Sequence, residues 1–135
     1  MKNAVVYSLS RRILEKLSYY YPIQDSTQYE FLLAEIPVLQ EGEMPLGVYA
    51  NQPGQCTENI VITNLGLHLL VDKIPAYVDY SQIKNIETPN TKDADHLVIH
   101  LVDGRIVKLH IRGKHDRFRD VFEFLRFLDR VIKAL

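Results

Sequence analysis

The chain has 135 residues, 47% of them hydrophobic, with 16 basic against 17 acidic side chains and a formal net charge of -1. That length suits one domain able to bury roughly two thirds of its unfolded surface, and the even charge balance supplies no overall field for DNA or an anionic membrane, so such contacts would need a local patch. Nucleic acid is therefore not an expected partner.

A single cysteine, Cys56, cannot form an internal disulfide and fits a reducing compartment. The apolar run after Met1 is interrupted by Arg11 and Arg12 too early for a signal peptide, and no stretch approaches the ~18 apolar residues of a membrane span. A soluble cytoplasmic protein is expected.

Val6, Leu9, Ile13, Leu17 and Tyr20 recur at helical spacing, predicting an amphipathic helix over 3–20 that Pro22 ends. Thr27 and Glu30 form a capping box for a second, shorter helix running to about Ile36, closed by Pro37. The three tyrosines from Tyr19 to Tyr21 are read as covering core edges, since amphipathic aromatics at a helix end do so more often than they recognise ligands. Residues 1–41 are thus expected to be a helical extension packed on a domain formed by 42–135.

From Glu41 the pattern changes to short β-rich runs punctuated by Gly42, Pro45 and Gly47. Strands are predicted at 46–50, 59–63, 67–71, 75–80, 83–88, 97–102 and 106–111. Asn64 and Gly66 supply a turn between the second and third, as residues that tolerate positive φ. Around Asp103-Gly104 a two-residue loop would mix apolar and charged residues on one face. A three-residue loop over 102–104 instead sets Ile99 opposite Val107 and Leu97 opposite Leu109. The other face then carries His96, Val98, His100, Ile106, Lys108 and His110.

The last helix places Phe118, Val121, Phe122, Leu125, Leu128, Ile132 and Leu135 on one stripe, with Asp116 as its N-cap. Phe124, Phe127 and Val131 widen the apolar surface beyond what one sheet covers. The face of Val6, Leu9, Ile13 and Leu17 is the nearest cover in the chain; failing that, Phe127 would be an interface anchor for a second copy or another protein.

In this order, residues 42–133 resemble the pleckstrin-homology-like superfold, and within it the GRAM and bacterial PH-like families. The resemblance is carried by the run from Ile60 to Asn64 followed by Leu67-His68-Leu69, by the segment from Val78 to Glu87, and by Val102-Asp103-Gly104-Arg105 with the terminal helix. It implies an α+β, mainly β fold: a seven-stranded antiparallel, partly open barrel capped by a C-terminal helix. It also implies phosphoinositide or anionic-membrane binding through basic residues on the first two strands and their loop. The corresponding stretch here, 48–61, has no lysine or arginine and contains Glu58, so a phosphate would meet no converging cations.

The cations gather later: Arg105, Lys108, Arg112, Lys114, Arg117 and Arg119 lie within fifteen residues. These six are the candidate anion- or partner-binding residues. By family analogy the lipid site lies at the open end of the barrel, and the junction near Arg112 and Lys114 at the helix-capped end.

His96 and His100 are too far apart along a strand to share an ion, so no metal site is expected. Asp93 and Asp95 lack the remaining ligands of a calcium loop. There is no glycine-rich phosphate loop, nucleophile elbow or local partner for Cys56; no catalytic residue and no cofactor are assigned. The expected function is a non-enzymatic protein-interaction module, an adaptor, complex subunit or neutralising partner of the immunity-protein kind. The alternative is a peripheral module for anionic lipid.

Overall fold

A computed structural model of the chain describes residues 2–17, 19–23, 39–51, 58–71, 74–88, 95–113 and 119–135. Among them are two helices, α1 (Lys2–Ile13) and α2 (Arg119–Ala134), and eight strands. The strands are β1 (Tyr20–Pro22), β2 (Pro45–Ala50), β3 (Glu58–Thr63), β4 (Gly66–Val71), β5 (Ile74–Asp79), β6 (Ile83–Glu87), β7 (His96–Leu101) and β8 (Ile106–His110). They build two antiparallel sheets, β1-β2-β3-β4-β5 and β6-β7-β8. The architecture is α+β, mainly strands, with a C-terminal helix, and is compatible with a PH-like fold. One expectation needs correcting, since the described residues form eight strands rather than seven; the two sheets are separate and the barrel is not closed.

The extra strand comes from the end of the predicted first helix. After Ile13 the chain tightens into a 3-10 turn, Leu14–Lys16, and Leu17 leaves in an extended conformation while its N–H donates to the Leu14 carbonyl at 2.9 Å. Tyr20 then pairs with Tyr49 and Pro22 with Gly47. Tyrosines suit a pleated surface, and a proline on an edge strand removes no ladder bond. Gly47 is required beneath this strand, because a Cβ there would overlap the Tyr20 ring. Sheet pairing thus overrides the helical spacing that Tyr20 shares with Leu17. The second helix, expected near residues 27–36, lies outside the described residues, as do Asp116 and Phe118.

The β7-β8 hairpin has the register required by its apolar pattern, with Leu97 opposite Leu109 and Ile99 opposite Val107. Its three-residue loop closes with Leu101 N–H donating to the Arg105 carbonyl at 2.9 Å, and Gly104 takes the positive φ of 92°. The β3-β4 turn works differently from expectation. Gly66 has no positive φ; the Thr63 hydroxyl shapes the turn by accepting the N–H groups of Leu65 and Gly66 at 3.1 and 3.0 Å. Gly66 is needed for space, since a Cβ would run into the Val78 carbonyl.

The main core is organised by aromatic rings in edge-to-face contact. Tyr19 meets Tyr49 at 6.5 Å, Tyr49 meets Phe124 at 6.0 Å, Phe124 meets Phe127 at 6.0 Å, and Phe127 meets Tyr80 at 6.3 Å. The buried stripe of α2 is therefore Val121, Phe124, Phe127, Leu128 and Val131, rotated from the predicted one: Phe122 is 49% exposed and Leu135 also reaches the surface. Val6, Leu9, Ile13 and Leu17 belong to the same cluster, and α1 packs directly on α2. Phe127 is fully buried against the chain's own residues, which removes it as an interface anchor. A second cluster, Val48, Ala50, Val61 and Leu70, lies on the other face of the larger sheet. Burial on both faces explains why the run from Ile60 to Ile62 is continuously apolar rather than alternating.

Because Phe127 touches both Phe124 and Tyr80, Phe127→Ala is expected to cost about 3–5 kcal/mol, read from urea unfolding. Removing residues 1–17 is expected to yield an aggregating chain; a soluble monomer with unchanged melting temperature would show that α1 is dispensable.

Candidate functional site

Of the six predicted cationic side chains, those of Arg105, Lys108 and Arg112 lie among the described residues, spread along the hairpin. Arg105 sits at the hairpin tip, where its Nε donates to Asp103 at 2.8 Å and its backbone N–H to the same carboxylate at 3.0 Å. Those contacts, the backbone one first, hold the Asp103 carboxyl below its ordinary pKa. Arg112 lies seven residues on, at the other end of β8, roughly 20 Å away at strand rise. Lys108 stands between them, exposed on the outer face opposite Val98. Lys114 and Arg117 lie outside the described residues; Arg119 begins α2, and its side chain lies outside them too.

At Arg112 the two sheets are joined through side chains. The Arg112 guanidinium pairs with Glu58, the first residue of β3, at 3.1 Å. Buried Asn51, just past β2, donates to the His110 carbonyl at 2.7 Å and accepts the Arg112 N–H at 2.8 Å, so its amide mimics one step of a strand ladder. Tyr49 donates to Asp120 in the first turn of α2 at 2.7 Å and accepts the Gly113 N–H at 3.1 Å. Burial, then the hydrogen bond to Asp120 and its charge, pushes the Tyr49 hydroxyl far above its ordinary pKa. The end of β2, the start of β3 and the β8-to-α2 junction consequently share one end of the molecule. The end of β2 and the start of β3, which flank the loop after the first predicted strand, thus lie beside Arg112.

The outer face of the smaller sheet is mixed in character. His96 faces His110 across the hairpin with ring centroids 6.2 Å apart, and His100 lies opposite Ile106, which is 64% exposed. His96 contacts Asp95 at 3.1 Å and His100 approaches Glu87 at 3.3 Å. Burial pulls the His110 pKa down, Lys108 and Arg112 add to that, and Glu58 and Asp95 oppose it. Among the described residues no three histidine, cysteine or carboxylate side chains are arranged to hold a metal ion. Nor is any helix among them long and apolar enough to cross a membrane. Cys56 and Asp93 lie outside the described residues.

A polar cluster that sequence reasoning missed lies across the β3-β4 hairpin. Glu43, with a side chain 0% exposed, accepts from the Thr63 hydroxyl at 2.6 Å, the His68 Nε2 at 2.9 Å and the Gln40 N–H at 3.0 Å. The His68 ring stacks on Tyr77 at 4.5 Å. Asn64 completes the attachment, accepting the Met44 N–H at 2.6 Å and donating to the Gly42 carbonyl at 2.9 Å. The Thr63 hydroxyl is occupied by the carboxylate and the turn, so this is a clamp fixing residues 40–44 to the sheet rather than a nucleophile with its base. Glu43 lies 20 residues from Thr63 and 25 from His68, and the three share no motif.

Comparison of the chain with protein-family models, with curated proteins and with solved structures gave no significant match.

Burial pushes the Glu43 carboxyl pKa up, but its bonds from Thr63, Gln40 and His68 outweigh this and hold it below the ordinary value of 4.5. A depressed folded pKa contributes stability that is complete above the unfolded value and lost as pH falls through the folded one. Glu43→Gln should lose about 1–3 kcal/mol at neutral pH, with the gap to wild type closing as pH falls below 4.5. Urea midpoints across that range check this; a constant gap would show that Glu43 is not ionised in the fold.

Proposed function

We propose that the chain is a non-enzymatic protein-interaction module on a PH-like scaffold of the GRAM or bacterial PH-like kind, serving as an adaptor, complex subunit or neutralising partner. Four strands β2–β5, three strands β6–β8 and a closing helix support that scaffold, with β1 and α1 added to it. The observation that carries the functional reading is the state of the cations. Arg105 and Arg112 are each already paired with a carboxylate, Asp103 and Glu58. Phosphate recognition needs several donors converging on one anion, and pairs at the surface do not supply them.

Beside these cations the β6–β8 outer face offers Val98, Ile106 and Lys108 together, the mixture of apolar and charged groups found where proteins meet. The proposed contact surface runs from this face to the Arg112 junction. Arg105 at the hairpin tip and Lys108 on β8 border this face, and Lys114, Arg117 and Arg119 are assigned to the surface from sequence. A partner with carboxylates could exchange with Glu58 for Arg112.

Sedimentation with vesicles of phosphatidylcholine and phosphatidylserine separates this reading from anionic-lipid binding. Pelleting is expected to be absent near physiological salt, and salt-sensitive pelleting would overturn the proposal. In cells, photo-crosslinking from position 106 should yield protein adducts that disappear on charge reversal of Arg112, Lys114, Arg117 and Arg119. Adducts unchanged by the reversal, with the fold preserved, would remove these residues from the surface.

A further inference from the structure

Along the outer side of α1 runs a trough that the core does not use. One wall is the helix stripe Tyr7 and Arg11, and the other is Met44 and Leu46 at the start of β2. A deeper hollow of about 150 Å³ reaches down to Tyr20, and it opens into a wider groove of about 530 Å³ that shares those four residues. The trough's surface is mainly apolar, and Met44 projects at its edge with 61% of its surface exposed. An unbranched thioether at such a position adapts to varied side chains.

Its charge is one-sided. The Arg11 guanidinium is held at the rim, with Nε on Glu15 at 3.1 Å, Nη1 on the Tyr7 hydroxyl at 3.4 Å, and its carbon 5.9 Å from the Tyr7 ring centre. Arginine carries five N–H donors; among the described residues those left over have no acceptor, although 62% of the side chain is exposed. Arg12 follows, exposed and with no ion-pair partner among the described residues. Among the described residues of the lining Glu15 is the one acid. A preorganised guanidinium loses little freedom when it binds a carboxylate bidentately.

We infer that this trough binds an acidic, amphipathic peptide segment of a partner protein, whose apolar side chains seat against Met44, Leu46 and Tyr7 while its carboxylates meet Arg11 and Arg12. The inference rests on the protein-interaction reading above and adds a second surface to it, formed by α1 and the start of β2.

The chain has two methionines, Met1 and Met44, so methyl-labelled protein gives a two-signal spectrum in which Met44 reports on the trough. The probe is a twelve-residue peptide with leucine on one helical face and glutamate elsewhere, compared with the same peptide carrying lysine for glutamate. The Met44 methyl should shift saturably with the acidic peptide and not with the basic one. Arg11→Glu with Arg12→Glu should weaken binding about tenfold or more.

No shift, or equal shifts with both peptides, would overturn the inference. So would a Met44 methyl shielded from a soluble paramagnetic agent, which would mean that the chain fills its own groove. A peptide-free shift that depends on protein concentration would make the occupant a second copy and also overturn it. A silent trough alongside retained crosslinking from position 106 would remove this surface alone, whereas a saturable shift without crosslinking would fault the β6–β8 surface instead.

Discussion

Five aromatic rings in series, Tyr19, Tyr49, Phe124, Phe127 and Tyr80, form the constraint on which the rest of this structure depends. They cross from the segment before β1, through β2, into α2 and back to the turn between the sheets. Each edge-to-face contact adds about 0.5–1.5 kcal/mol beyond the area it buries. Direction comes from the hydroxyls at two members: Tyr49 reaches Asp120, and Tyr80 donates to the Thr63 carbonyl at 2.8 Å. With the polar ends fixed and the rings interlocked, α2 has little freedom to rotate. This is why its buried stripe centres on Phe124 and Phe127 and leaves Phe122 outside.

Where the sheets do not pair by backbone, polar side chains take over. A carboxamide is well suited, since Asn51 can donate to one peptide group and accept from the next. Arg112 and Glu58 add an exposed pair across the same gap, whose contribution to stability is small. The organisation of this end follows from the buried Asn51 and Tyr49 bonds, and the ion pair decorates it. A partner could therefore break the ion pair without opening the molecule.

Local periodicity carried much of this fold. The Asp103-Gly104 hairpin could be read to the residue because only one loop length kept Leu97, Ile99, Leu109 and Ile111 together. Seven strands were legible from alternation and turn residues. Contacts between distant segments were not. Tyr20 obeys helical spacing yet pairs with Tyr49, a choice made by sheet partners far along the chain. The face of α2 was ambiguous because Phe122, Phe124 and Phe127 are equally apolar, and packing against Tyr49 and Tyr80 decides among them. For the site, the cations were easily counted, but their carboxylate partners lie two or 54 residues away. The Glu43 clamp and the trough beside α1 have no local signature at all.

The packing of α1 on α2 has a consequence for how the molecule is made. These helices are separated by more than a hundred residues, so α1 is synthesised well before α2 and its apolar face stays uncovered until α2 has followed. Closing so long a loop is entropically slow, and contacts of this kind lengthen folding times. Until α2 emerges, Val6, Leu9 and Ile13 face solvent or chaperones. The finished core is thus a late event in the folding of this region, and the chain is most prone to aggregate before α1 and α2 meet.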